Sequence, residues 1–156
     1  MKLSGMKNIA IIFTGLLFLW YSLNMTGFAF NNIILVTSAI KDEPIDIAWW
    51  VIFIICFALF LKKDRYGKYA LSIFLILFGI IQFPKWFTTD LNRIESYNNF
   101  FGDEGTHYII AQSKERLIKD TYHIIIDILI FLALIANLLF VIKAKMEKSK
   151  ERAHCT

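Results

Sequence analysis

Four separate runs of mostly apolar residues, each near the roughly 20 residues that a bilayer crossing needs, limit this chain to a membrane fold. The first runs from about Ile9 to Leu23 and continues through Met25-Thr26-Gly27 to Phe30. The second covers about Ile45 to Leu61, the third about Tyr69 to Phe87, and the fourth Thr121 to Ile142. Apolar residues make up 57% of the chain and charged residues 19%, against about 45–50% and about 25% in a soluble domain. The excess lies in continuous runs rather than in alternation with polar residues, so a water-facing surface has nothing to be built from. The sequence predicts an all-α integral membrane four-helix bundle, one domain over residues 1–156, with spans at about 9–30, 45–61, 69–87 and 121–142.

Local signals set the ends of these spans. Asp42 and Glu43 precede the second, and Pro44 falls in a first helical turn, where its missing N–H costs nothing. Pro84 is expected to bend the end of the third span. Lys2 and Lys7 precede the first run, which is read as a retained helix; Gly27-Phe28-Ala29 also fits a leader-cleavage site, the alternative reading.

Basic loops resist translocation, so loop charges orient the bundle. On the side holding both termini and the turn from Lys62 to Lys68, eleven Lys and Arg residues face three acids. The opposite side carries six bases and nine acids. Both termini, including the basic tail 143–156, are therefore expected in the cytoplasm, as in a multi-pass plasma (inner) membrane protein. Indole and phenol rings favour the headgroup level. Trp20, Trp49, Trp50, Trp86 and Tyr122 all fall at span ends on the outer side and are expected to act as interface anchors.

Residues 88–120 form an outer loop too long to lack structure of its own. Thr88 or Thr89 is expected to cap a short helix over Asp90 to Phe100, with Leu91, Ile94 and Tyr97 on one side. Gly102-Asp103-Glu104-Gly105 reads as a turn. A second helix is expected to start at Ser113, pass through Glu115, Leu117 and Ile118, and run into the fourth span. The segment Asn31 to Pro44 is short and apolar in its first half. Asn24-Met25-Thr26 matches a glycosylation acceptor, but its closeness to the membrane argues against its use.

Asp127 is the one acid inside an apolar run. Fifteen Ile, Leu, Phe and Val residues between Ile124 and Ile142 contribute about −0.3 to −0.6 kcal/mol each, against about +2.5 to +3.5 kcal/mol for a central Asp. The span inserts regardless, so any partner of Asp127 serves the folded bundle. His123 lies one turn earlier on the same face, and Gln82 and Lys85 lie at a similar depth. These four, Gln82, Lys85, His123 and Asp127, are expected to form an intramembrane polar cluster that holds helices in register. Asn137 faces another side of the fourth helix and is read as a helix-packing residue. Gly15 and Gly79 are isolated, so a close glycine contact between helices is not expected.

No catalytic, phosphate-binding or cofactor motif is present, and no cofactor is expected. His107 with Asp103 and Glu104 is too thin a set for zinc, so no metal is expected. Cys56 sits in a span and Cys155 in the tail, too far apart in depth to pair. The basic tail suits anionic lipid and gives no reason to expect nucleic acid.

These features lead to a small bacterial-type inner-membrane protein acting by protein–protein interaction, as a sensor, an assembly subunit or an immunity or defence factor. In general build it resembles the small multi-span proteins that protect bacteria against pore-forming toxins or report phage attack, a likeness of architecture without a diagnostic motif. The expected partners are membrane lipids and a protein or a second copy. Two alternatives are a subunit of an oligomeric channel or transporter with Asp127 and His123 lining the path, and a membrane enzyme acting at the outer leaflet.

Overall fold

A computed structural model describes residues 2–31, 33–36, 38, 44–103 and 106–154. Helix α1 covers Leu3–Thr26, α2 Pro44–Lys62, α3 Asp64–Gln82, α4 Leu91–Asp103 and α5 Thr121–His154. Four of the five, all but α4, are long and apolar enough to cross a membrane. Strands β1 (Phe28–Phe30) and β2 (Ile33–Val36) form an antiparallel hairpin between α1 and α2. The chain is thus mostly helical rather than all-α.

The hairpin corrects the expected first span, which ends at Thr26 rather than Phe30. Gly27 takes φ 72°, a conformation that glycine reaches without a Cβ penalty and that turns the chain off the helix axis. Asn31, at φ 52°, then reverses the chain, a role its short side chain tolerates. The pairing sets Phe30 opposite Ile33 and Ala29 opposite Ile34. A further bridge joins Ile34 to Thr106, with His107 N–H donating to Ile34 O at 2.8 Å. A two-stranded hairpin is marginal alone, and this third segment anchors it.

The α2–α3 connection is a single residue, Lys63. Gly67 N–H donates to Lys63 O at 2.9 Å, closing the first turn of α3 directly against α2. A Cβ at Gly67 would stand 2.3 Å from the Leu59 carbonyl oxygen and 2.4 Å from Phe60 Cα. A close glycine contact therefore does exist, contrary to the expectation, and it joins two helices of the same chain. At the far end of α3 the helix tightens into a 3-10 turn over Phe83–Phe87 that contains Pro84, because proline removes a donor from the α-helical ladder.

Aromatic rings fill the bundle interior. Phe53 stacks on Phe74 at 4.8 Å, Phe74 meets Phe78 at 5.6 Å, and Tyr21 meets Phe78 at 5.1 Å. Leu17, Leu71, Leu75, Ile126 and Ile130 are buried with them. The outward faces are equally apolar, with Ile12, Leu19, Ile55, Ile73, Ile80, Ile128 and Phe131 all more than half exposed. Helices apolar on both sides suit lipid as the surrounding solvent. At 34 residues, α5 is about 50 Å long. It outruns a hydrocarbon core of about 30 Å and carries its Lys-rich end beyond it.

The hairpin, α4 and a strap over residues 106–120 all gather where α1 and α3 end and α5 begins, called here the capped end. Helix α4 starts where Asp90 Oδ1 accepts from Asn92 N–H at 3.1 Å, so Asp90 takes the capping place expected of Thr88 or Thr89. It seats Ile94, buried at 1% exposure. The strap is irregular, which corrects the expected helix from Ser113 into the fourth span. Thr121 N–H donates to His107 O at 2.9 Å, and α5 begins only there. Of the expected turn, Gly102 and Asp103 belong to α4, while Glu104 and Gly105 lie outside the described residues.

Candidate functional site at the capped end

The strap ends in four buried residues, Leu117, Ile118, Lys119 and Asp120, and its two charged side chains organise the site. Lys119 is fully buried. Its Nζ donates to Gln82 O at 2.9 Å and pairs with Asp127 Oδ2. Gln82 closes α3, where helix carbonyls lack an intrahelical partner and attract a cation. Trp86 Nε1 donates to the same Asp127 oxygen, and its ring lies 5.1 Å from Lys119 Nζ. Burial pushes the Lys119 ammonium below its ordinary value, and the Asp127 carboxylate draws it part of the way back. Asp127 Oδ1 is buried and without a hydrogen-bond partner among the described residues.

Asp120 anchors a second group. Its Oδ1 accepts from His123 N–H at 2.9 Å, the bond expected of a helix N-cap. Its Oδ2 accepts from His123 Nδ1 at 2.8 Å and from Tyr97 Oη–H at 3.2 Å. A carboxylate bonded to Nδ1 fixes the orientation of the ring, with Nδ1–H directed at Asp120. Burial, reinforced by Asp120, raises the Tyr97 phenol far above its ordinary value, so it stays a donor. Tyr97, Phe101 and His123 pack ring to ring, with centroids 4.5–5.8 Å apart.

Of the four residues expected to form one cluster, Gln82, Lys85 and Asp127 are joined through Lys119, and His123 stands apart. Asp127 is held by Lys119 and Trp86, His123 by Asp120, and Lys85 Nζ donates to Gln82 Oε1 at 3.2 Å. His123 and Asp127 share a helix but no hydrogen bond among those of the described residues. Lys119 and Asp120 were not singled out from sequence. A cation eight residues before Asp127 would stand about 12 Å from it along a helix, and only an irregular strap folds it back.

The ring anchors cluster at the same level and turn partly inward. Trp20 Nε1 donates to Tyr122 O at 3.2 Å and stacks on the Tyr122 ring, while Trp50 Nε1 donates to Ser22 Oγ at 3.0 Å. Trp49 packs on Phe74 and Phe78. Tyr122 is 2% exposed, a packed ring rather than a lipid-facing one. Towards the other end of the bundle, Asn137 Nδ2 donates to Ser72 Oγ at 2.8 Å and to Lys68 O at 3.2 Å, tying α5 to α3.

Between α4 and the ends of α1, α2 and α5 lies a cleft of about 580 Å³. Its walls include Asn24, Asp46, Lys85, Arg93, Tyr97, Phe100 and His123. Asn24 Nδ2 donates to Asp46 Oδ2 at 2.7 Å. Among the described residues Arg93 pairs only with Asp90, at 3.5 Å and well exposed. Among the described residues no group of three potential metal ligands converges, and no hydroxyl or thiol bonds to His123. The arrangement can hold a charged or polar ligand in place. Comparison with protein-family models, with curated proteins and with solved structures found no match to this chain.

Proposed function

We propose that this is a multi-pass plasma (inner) membrane protein, with both termini cytoplasmic, that works by recognition at its capped end rather than by catalysis. The observation that carries this reading is the concentration of designed polar structure in one place. The buried Lys119–Asp127 pair, the Asp120–His123–Tyr97 group and the open cleft all lie at the capped end, over spans that are otherwise nearly all apolar. Loops carry recognition when a rigid scaffold positions them, and here the scaffold pins its strap from within. Phe30, Ile33, Ile109 and Ile110 stand 44–65% exposed on the hairpin and strap, apolar contact area suited to a partner protein. The orientation follows from the loop charges. The channel reading is weakened because Asp127, one of the two groups that motivated it, is held by Lys119 and Trp86 of its own chain.

Site-directed photocrosslinking in native membranes tests this. A crosslinker at Ile110 is expected to give one discrete adduct heavier than the protein itself. One at Ile73, on the outward face of α3, is expected to give lipid adducts only. Equal patterns at the two positions, or no protein adduct at Ile110, would count against recognition at the capped end.

A further inference from the structure

The depth and lining of the cleft define a ligand class. Asn24 is two residues from the end of α1, Asp46 is in the first turn of α2, and His123 is in the first turn of α5. Lys85 lies in the 3-10 turn that closes α3. Four span ends therefore meet around one opening, at the level marked by Trp20, Trp50 and Trp86, and that level is where lipid headgroups lie. The cleft has charges of both signs, each left with binding capacity. Among the described residues, Lys85 bonds only the neutral Gln82 amide. Arg93 has, among the described residues, a single long, exposed pairing, worth little. Asp46 accepts from the neutral Asn24 amide, and no Lys or Arg among the described residues pairs with its carboxylate. Rings of Tyr97 and Phe100 complete the wall, and aromatic faces attract ammonium groups.

We propose that the cleft binds a phosphate ester bearing an ammonium group, presented as the headgroup of a phosphoethanolamine lipid. Lys85 and Arg93 hold the phosphate through charge-assisted hydrogen bonds. Asp46 and the ring wall hold the ammonium. The site depends on the membrane placement of the four spans and needs no protein partner, so it stands or falls separately from the crosslinking at Ile110.

The test is native mass spectrometry of the full chain released from nanodiscs that contain equal phosphatidylethanolamine and phosphatidylglycerol. The wild-type protein is expected to retain phosphatidylethanolamine selectively. Lys85→Gln with Arg93→Gln is expected to weaken that retention by about tenfold or more, the loss of one to two charge-assisted bonds. Asp46→Asn should retain both lipids equally. Lys114→Gln with Arg116→Gln, equal in charge change but outside the cleft, should behave as wild type. Soluble phosphoethanolamine added to the wild-type protein should displace the lipid while inorganic phosphate does not, a result independent of whether any variant folds. Three results would each overturn the proposal: unselective retention by the wild type, a loss as large in the Lys114/Arg116 control, or binding of soluble phosphoethanolamine without retained lipid.

Discussion

Replacing Lys119 by methionine is expected to cost about 3–5 kcal/mol of stability, the usual loss when a buried ion pair is left with one charge unmatched. Lys119 is fully buried and Asp127 is 4% exposed, so water cannot take over from the missing ammonium. Among the described residues, Trp86 Nε1 alone remains to satisfy the carboxylate. Asp127→Asn alone should be harmful for the complementary reason, since it leaves Lys119 buried without its counter-charge. The double variant Lys119→Met with Asp127→Asn should recover most of the loss, because the amide oxygen still accepts from Trp86 and no charge is stranded. Unfolding in mild detergent, followed by circular dichroism over the full double-mutant cycle, isolates the coupling. Single variants that cost no more than about 1 kcal/mol, the worth of a solvated surface pair, would show that the strap does not seal the ion pair.

Gly67→Ala should destabilise by about 3 kcal/mol, the upper end of ordinary overpacking. The added methyl would meet the Leu59 carbonyl and Phe60 Cα at 2.3–2.4 Å, and these are backbone atoms that cannot rotate away. Relief requires α2 and α3 to part, opening the stack of Phe53 on Phe74. Gly15→Ala is the internal comparison. It sits in mid-helix with nothing nearer its Cβ than a Phe57 ring carbon at 4.0 Å, so it should gain up to about 1 kcal/mol from helix propensity. Thermal midpoints of the two variants should move in opposite directions. A neutral Gly67→Ala would mean that the tight α2–α3 approach is not needed for stability.

The four long helices were legible because apolar runs near 20 residues leave few alternatives, and Pro44 and Pro84 marked two of their ends. The hairpin was not. Phe28–Phe30 and Ile33–Val36 are continuous apolar stretches, and such stretches carry neither the helical nor the strand period. Gly27 was the available signal, since a glycine after an apolar run is a common helix stop. The helix α4 could be placed from Leu91, Ile94 and Tyr97, though its cap belongs to Asp90. Grouping His123 with Asp127 followed from their spacing on one helix. Tertiary structure overrode it, because Asp120, as the N-cap of α5, claims the imidazole, and Lys119 reaches Asp127 from outside the helix. A residue in an irregular strap has no period that would announce such a partner. Gly67 was passed over for the same kind of reason, as its contact depends on a one-residue turn that no local pattern foretells.

Recognition at the capped end of a chain with both termini cytoplasmic requires that end and the Lys62–Lys68 turn to lie on opposite faces of the membrane, with the capped end outside. Single cysteines at Ile110 and at Lys63, in a chain whose Cys56 and Cys155 are changed to serine, can be probed with a membrane-impermeant maleimide on spheroplasts. Ile110→Cys should be labelled at once and Lys63→Cys only after permeabilisation. Labelling of both positions in sealed spheroplasts, or of Lys63→Cys alone, would contradict it.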